Sequence, residues 1–311
     1  MDTNNTGILP SLSIGQIFPF VKYGYALKRV LNNQNRWHVK IVYNLVGLDT
    51  RSYAATTYMR SYDYLKLLEN TTLLKCKGKL SPLIVNLYPE ENTIVCGYLG
   101  EFFQHYLLRG LDNASIGPRA VFDYLLDINS MNQGYKKFFT PNIIKSAIEL
   151  SGVLTGDFEF LGKSRKILPR LEDSGIEFAY GYGIEDPHIW NFRIMKTLGT
   201  IRAFTTDLDY FSDKINCFWE LGYFYATFRW IRKTSPYTAS IAEKDLASLI
   251  ERHSLKAQFM FWLGALSSYC GYKDSLLSLV KGEGFHELEK EYKTIEVLDE
   301  KVSSLAKNLL T

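Results

Sequence analysis

The segment Gly156–Ser164 comes closest in this sequence to a phosphate-binding loop, because it ends in Gly-Lys-Ser. A P-loop needs four residues between its two glycines, whereas this segment has five. Asp157 and Glu159 would also place carboxylates beside the phosphates, where backbone amides should cradle an anion. We therefore predict no nucleotide site in this segment.

The histidines and cysteines show none of the spacings that metal sites use. The five histidines include no pair at positions i and i+4, and none adjoins a cysteine. Asp207 and Asp209 form a D-x-D that could hold a divalent cation, with Asp213 one helical turn later. Carboxylates at such positions are also typical of a helix N-terminus, where they offset the helix dipole. We favour this second interpretation, so the sequence predicts neither a metal site nor a cofactor.

An acidic set toward the C-terminus is the one candidate for catalysis. Asp274 follows a predicted helix that carries Glu251, and Glu291 and Lys293 form an E-x-K. Mg-dependent nucleases of the restriction-endonuclease-like fold use this order, with two carboxylates on Mg²⁺ and a lysine that orients the attacking water. That fold places E-x-K on a strand, whereas here it falls in a stretch with helical periodicity. A nuclease using Asp274, Glu291 and Lys293 is therefore the alternative and not the leading prediction.

Basic side chains form two clusters that could contact nucleic acid. Cations that track phosphates, together with aromatic rings that stack on bases, are typical of proteins that hold single-stranded nucleic acid. Lysines on an exposed edge strand could instead protect that edge from pairing. The predicted phosphate contacts are Lys75, Lys77 and Lys79, which alternate along a predicted strand, and Lys163, Arg165, Lys166 and Arg170.

Composition indicates a folded protein without a strong overall charge. Of the 311 residues, 46% are hydrophobic, which is enough for a substantial core, and the net charge is +3. The basic excess lies in residues 1–100, which contain 11 lysines and arginines but only 6 acidic residues. The four cysteines show no C-x-x-C pair and no signal peptide is visible, so we expect reduced thiols and an intracellular, cytoplasmic location.

The hydrophobic periodicity predicts an α+β protein that is predominantly helical. Two long apolar helices between Ile215 and Gly271, joined at Pro236, are expected to form the core, and Ser240 with Glu243 reads as a capping box for the second. Strands are predicted only between residues 37 and 98. The fold class is therefore β structure confined to the N-terminal third and a helical C-terminal two thirds.

The predicted domain boundaries follow these changes in periodicity. They are a flexible N-terminal segment (1–14), an N-terminal α+β lobe (15–118), a helical core lobe (119–284) and a C-terminal helix or arm (285–311). In that last segment Leu288, Ile295, Val302 and Leu309 recur every seven residues. We expect the stripe either to pack on its own domain or to join subunits in a homo-oligomer.

These observations lead to a non-catalytic function as the first hypothesis. We predict an oligomerising nucleoprotein that coats single-stranded RNA or DNA and does not bind a membrane. The alternatives are the Mg-dependent nuclease and a protein-interaction scaffold.

Overall fold

In a computed structural model of the chain, the described residues are 39–44, 52–57, 61–81, 83–88, 93–98, 101–153, 161–197, 199–205, 208, 211–271 and 285–311. The chain divides into two compact units, each made of two stretches. Unit 1 comprises residues 1–101 and 193–210, and unit 2 comprises residues 102–192 and 211–311. Among the described residues, no helix is long and apolar enough to cross a membrane.

Unit 1 contains a four-stranded antiparallel sheet with one helix inserted after its second strand. The strand order is β1-β2-β4-β3, so β2, which precedes the helix, pairs with β4, which comes last in sequence within this sheet. Leu67, Asn70 and Leu74 form the buried face of the helix, and Asn70 Nδ2 donates to the carbonyl oxygen of Leu208 at 2.5 Å. The elements are β1 (Val39–Asn44), β2 (Ser52–Thr57), α1 (Ser61–Cys76), β3 (Leu83–Tyr88) and β4 (Thr93–Tyr98).

The strand predicted at residues 73–79 is wrong. Lys75 lies in the last turn of α1, and Lys77 follows in a turn that continues to Lys79. Gly78 adopts a φ of 68°, a left-handed conformation that glycine adopts without the steric cost of a Cβ. Leu67 and Leu74 are seven residues apart, so they lie on the same face of a helix, and both are buried. Burial of these two leucines favours a helix here, although the alternating lysines suggested a strand.

Two further strands form a hairpin in the C-terminal two thirds of the chain, which were predicted to be helical. Phe192, Arg193 and Ile194 are all buried, as are Ala203, Phe204 and Thr205 on the second strand. A short run of buried residues without alternation cannot be distinguished from a buried helix by its periodicity. Gly199, with a φ of 83°, lies between them. The hairpin strands join a short third strand in the order β5-β8-β9. Their bounds are β5 (Glu101–Phe102), β8 (Phe192–Thr197) and β9 (Thr200–Thr205).

Unit 2 is mainly helical, but it contains a second antiparallel sheet with the order β10-β7-β6. Its strands are β6 (Gly134–Lys137), β7 (Glu177–Gly183) and β10 (Ser212–Ile215). The helices are α2 (Phe103–Leu108), α3 (Leu111–Asn129), α4 (Asn142–Val153), α5 (Gly162–Asp173), α6 (Cys217–Ala226), α7 (Phe228–Arg232), α8 (Pro236–Ile250), α9 (Leu255–Cys270) and α10 (Phe285–Leu310).

The core of unit 2 is the crossing of α6 and α9, which are buried along most of their length. A Cβ added at Gly222 would clash with the carbonyl oxygen of Phe261, and one at Gly264 would clash with that of Trp219. The two glycines therefore allow the helix backbones to approach closely. The prediction that Ile215–Gly271 contains the core is consistent with this packing.

The prediction of only two helices in this region is wrong. The first is broken at Thr227, and the second is divided into α8 and α9 by the turn at residues 251–254. Asn216 caps α6 and Ser254 caps α9, each accepting hydrogen bonds from backbone N–H groups. Ser240 does not start a helix, because α8 already begins at Pro236.

The C-terminal helix α10 packs on its own chain against α5 and α9. Its buried residues Ile295, Leu298, Val302 and Ala306 repeat at three- or four-residue intervals, as expected for one face of a helix. Of the predicted seven-residue stripe, Ile295 and Val302 are buried, whereas Leu309 is only half-buried. Self-association through this helix is not tested by a single chain and stays a prediction.

The predicted fold class is contradicted because β structure extends well beyond residue 98. Strands β6 to β10 lie between residues 134 and 215. They are four to seven residues long. Short strands in a segment with several glycines give little periodic signal, so this region was predicted to be irregular or helical.

Candidate active site

The loop between β7 and β8, residues 184–191, is held by a series of short-range backbone hydrogen bonds. Asp186 N–H donates to the Ile184 carbonyl at 2.7 Å, and His188 N–H donates to the Asp186 carbonyl at 2.9 Å. Asn191 N–H then donates to the His188 carbonyl at 2.9 Å. The backbone of Glu185 has a φ of 59°, a conformation that residues other than glycine rarely adopt. Residues in such conformations cluster at functional sites.

Asp186 and Asn191 are the two polar side chains that this loop positions. Asn191 is buried, and its Nδ2 donates to the Asp186 carbonyl oxygen at 3.0 Å. The Asp186 side chain is 46% exposed, and its Oδ2 lies 3.4 Å from Nε2 of His188. The loop therefore fixes the backbone of Asp186 while its carboxylate can still meet a ligand.

A buried carboxylic acid lies beneath the start of the loop. Glu220 on α6 is fully buried and accepts a hydrogen bond from the backbone N–H of Ile184. Burial raises the pKa of Glu220 from 4.5 to about 8, although hydrogen bonds from the backbone of Ile184 and Glu185 act in the opposite direction. A Cβ at Gly183 would clash with this carboxyl group, so glycine at the end of β7 makes room for it.

Aromatic rings border the loop on its α7 side. Trp190 stacks on Trp230 with ring centroids 4.2 Å apart and an interplanar angle of 13°. His188 contacts both rings edge-on, with centroid distances of 5.5 Å to Trp190 and 6.2 Å to Trp230. The Arg229 guanidinium lies 5.2 Å from the Trp230 ring centroid. The loop thus places a carboxylate, an imidazole and an exposed indole side by side.

The structure places the seven predicted phosphate-contacting residues in different settings. Lys75, Lys77 and Lys79 belong to the end of α1 in unit 1, as described above. In unit 2, Lys163, Arg165, Lys166 and Arg170 form the solvent-exposed face of α5, opposite buried Ile167, Leu168 and Leu171. Lys163 Nζ is paired with Glu300 Oε1 at 2.9 Å.

The predicted nuclease set is not assembled by the described residues. Asp274 lies outside them. Glu291 and Lys293 lie on α10, so the E-x-K is helical and not on a strand. No group of three or more histidine, cysteine, aspartate or glutamate side chains that could hold a metal ion occurs among the residues the structure describes. Asp207 and Asp209, which form the D-x-D, lie outside the described residues.

Comparison with known proteins gives a likeness at the level of the fold. No family model and no curated protein matches the sequence. A choline/ethanolamine kinase family protein from Mesorhizobium loti is similar in structure, with a TM-score of 0.55 and 9% identity over 93% of this chain and 98% of that chain. The aminoglycoside phosphotransferase APH(4)-Ia (TM-score 0.47, 12% identity, 92% of this chain and 99% of that one) is also similar, as is the choline kinase LicA from Streptococcus pneumoniae (TM-score 0.44, 15% identity, 85% and 89%).

The similarity to the Mesorhizobium loti protein shows a protein-kinase-like fold. It contradicts the function predicted from the sequence, a nucleic-acid-binding nucleoprotein with a nuclease or a scaffold as alternatives. Kinase catalytic loops carry an aspartate and an asparagine five positions apart, and a second aspartate follows downstream. Asp186 and Asn191 have this spacing, and Asp207 follows the β8–β9 hairpin in the sequence. The spacing is visible in the sequence alone, where it falls outside the phosphate-loop, metal-site and nuclease patterns.

Proposed function

We propose that this chain is a phosphotransferase that moves the γ-phosphoryl group of ATP to a hydroxyl group of a small molecule. The observation that carries the proposal is the Asp186–Asn191 pair, in a loop held by Glu220 within a chain of kinase-like fold. The kinase family name of the Mesorhizobium loti protein supports the same class of reaction. The phosphoryl acceptors in the name of that protein are not assigned to this chain.

In the proposed reaction the half-exposed carboxylate of Asp186 accepts the proton of the acceptor hydroxyl. The acceptor oxygen forms a bond to the γ-phosphorus as the bond to the β–γ bridging oxygen breaks, and ADP leaves. Asn191 and Glu220 contribute indirectly by fixing the backbone on either side of this carboxylate. Because phosphoryl transfer depends mostly on positioning and charge, a rigid loop is the expected protein contribution.

The residues present fit an Mg²⁺ ion in part. Asn191 is buried next to Asp186 in the loop, and its side-chain amide carries an oxygen of the type that Mg²⁺ prefers. When bound, Mg²⁺ neutralises charge on the phosphate oxygens.

The N-terminal sheet departs from the pattern of protein kinases. There a glycine-rich loop covers the phosphates and a lysine on a strand contacts them. Here β2, the strand directly before α1, is Ser-Tyr-Ala-Ala-Thr-Thr and carries no lysine, and the connection between β1 and β2 contains one glycine, Gly47. Nucleotide binding is therefore the first property to measure.

The proposal is tested by calorimetric binding of an ATP analogue with Mg²⁺, followed by release of ADP in the presence of hydroxyl compounds. Asp186→Asn should leave nucleotide binding within about twofold and lower transfer by at least roughly a hundredfold. Asn191→Ala should remove most of the Mg²⁺ dependence of binding.

The matched control is Asp245→Asn, since Asp245 is an exposed carboxylate on α8 and should not affect either measurement. Absence of nucleotide binding with and without Mg²⁺ would overturn the proposal, and so would transfer that survives Asp186→Asn.

We also propose a cytoplasmic location for the protein. The proposed reaction consumes ATP, which cells maintain in that compartment. The buried thiols of Cys217 and Cys270 support the same location, because neither forms a disulfide. Fractionation of the source cells, with activity as the marker, would test it.

A further inference from the structure

Trp190 is a large aromatic side chain that is both exposed and rigidly held. It is 43% exposed, yet its ring stacks on Trp230 and its Nε1–H donates to Gln104 Oε1 at 2.9 Å. These contacts fix the plane of the indole and the direction of its edge. An exposed tryptophan with a fixed orientation can bind a ligand at a low cost in side-chain entropy.

The position of Trp190 relates it to the proposed chemistry. It directly precedes Asn191 and follows Asp186 by four residues. The imidazole of His188 lies between the two, since its ring contacts Trp190 at 5.5 Å and its Nε2 lies 3.4 Å from Asp186 Oδ2. A molecule that packs on the indole is therefore within one side chain of the candidate base.

The other end of this aromatic stack contacts a cation. The Arg229 guanidinium lies 5.2 Å from the Trp230 ring centroid and 4.3 Å from that of Tyr269, and its Nη2 donates to the Ser268 carbonyl at 3.2 Å. Trp190 stacks in parallel on the Trp230 ring, in addition to its edge-on contact with His188 and its hydrogen bond to Gln104. This geometry favours a further ring as the next member of the stack.

We propose that Trp190 determines acceptor specificity, and that the acceptor is an alcohol whose planar aromatic ring stacks on the exposed indole while its hydroxyl reaches Asp186. The proposal rests on the proposed function for the role of Asp186. Stacking of a ring on a fixed indole gives an advantage over a saturated ring of the same size that we estimate at roughly fivefold in affinity.

The test compares 2-phenylethanol with 2-cyclohexylethanol, which has a similar shape but no π system. Binding is followed by NMR of the tryptophan indole N–H signals, with Trp190 assigned from the Trp190→Phe variant. We expect 2-phenylethanol to shift the Trp190 signal and to bind about fivefold more tightly than 2-cyclohexylethanol. Trp190→Leu should abolish this preference, and Trp190→Phe should retain most of it.

Tyr237→Leu is the matched control, because Tyr237 is an aromatic residue on α8 that is 67% exposed. It should leave both affinities unchanged. Equal binding of the two alcohols, no binding of either, or a preference that survives Trp190→Leu would overturn the proposal. Tighter binding of choline than of 2-phenylethanol would also overturn it, since the surface would then select a cation.

The readout is independent of phosphoryl transfer. If ATP does not bind but the ring preference is present, the proposed function fails while the aromatic subsite stands. If ATP is consumed but the two alcohols bind alike, only the subsite fails.

Discussion

The carboxyl group of Glu220 accepts a hydrogen bond from the backbone N–H of Ile184, two residues before Asp186. Glu220 belongs to α6, one of the two helices that form the core of unit 2, so this bond ties the candidate catalytic loop to the core. A buried acid with no cation against it is costly to ionise, which makes its protonation state a property that can be measured.

The stability of the protein should depend on pH through Glu220. Burial raises the pKa of Glu220 from 4.5 to about 8, so the folded protein holds the proton more tightly than the unfolded chain. This contribution is fully present below about pH 4.5 and is lost as the pH rises through about 8. We expect it to weaken the fold by on the order of 4 kcal/mol between pH 5 and pH 9. Urea unfolding of the wild type and of Glu220→Gln at both pH values measures the loss, which the glutamine variant should not show.

Glu149→Gln is the control for this measurement, because Glu149 is exposed on α4. Its pH dependence should match that of the wild type. A Glu220→Gln protein with the same pH dependence as the wild type would show that Glu220 is ionised throughout the range.

Substitution of Gly264 should destabilise unit 2 strongly. A Cβ there meets the backbone of Trp219, which cannot rotate away as a side chain can. We expect Gly264→Ala to cost about 3 kcal/mol or more, at the upper end for overpacked cores. Thermal and urea unfolding would measure this loss. Gly134→Ala on β6 is the control and should change stability by less than about 0.5 kcal/mol, because nothing lies within 4 Å of its Cβ position. Similar effects of the two substitutions would contradict the close helix crossing.

Asp299 should stabilise α5 although the two are far apart in the chain. Its carboxylate oxygens accept hydrogen bonds from the N–H groups of Lys163 at 3.1 Å and Ser164 at 2.9 Å. We expect Asp299→Ala to cost about 1–3 kcal/mol and to raise hydrogen exchange in the first turn of α5, because a capping acceptor is lost from a buried position. Glu300→Ala removes only the exposed pair with Lys163, so it should change the stability much less than Asp299→Ala does. Equal losses for both variants would argue against the cap.

Asn129 should be important for the sheet of unit 2. It is buried at the end of α3, and its Nδ2 donates to the carbonyl oxygens of Tyr182 at 3.2 Å and Ile215 at 2.8 Å. Asn129→Ala leaves both carbonyls without this donor, so we expect a loss of about 1–3 kcal/mol in the free energy of unfolding. Asn142→Ala, at an exposed position on α4, should have little effect. Hydrogen exchange along β7 would show whether the loss is local.

Elements with strong local periodicity were predictable from the sequence. Strands β3 and β4 lie within the region predicted to contain strands, and helix α10 lies within the predicted C-terminal helix or arm. Strand β7 was not predicted, because its glycines weaken the apolar pattern of a strand. These glycines are required by residues far away in the sequence, because Gly181 makes room for the backbone of Asn129 and Gly183 makes room for the side chain of Glu220.

The candidate site was predictable only in part. The Asp186–Asn191 spacing and the D-x-D at Asp207 are present in the sequence, but single-residue spacings of this kind occur often by chance. Asp186 and Asn191 become a candidate active site only when the loop geometry, the buried Glu220 and the overall fold are known. Basic residues on α5 gave a stronger sequence signal, yet they are the solvated face of an amphipathic helix.

The cap that Asp299 provides has a consequence for synthesis of the protein. Because α5 is translated more than a hundred residues before Asp299, its first turn has no such partner on a growing chain until the C-terminal helix leaves the ribosome. A chain that stops before Asp299 would leave the apolar side of α5 without its cover from α10, and such fragments should be prone to proteolysis and aggregation.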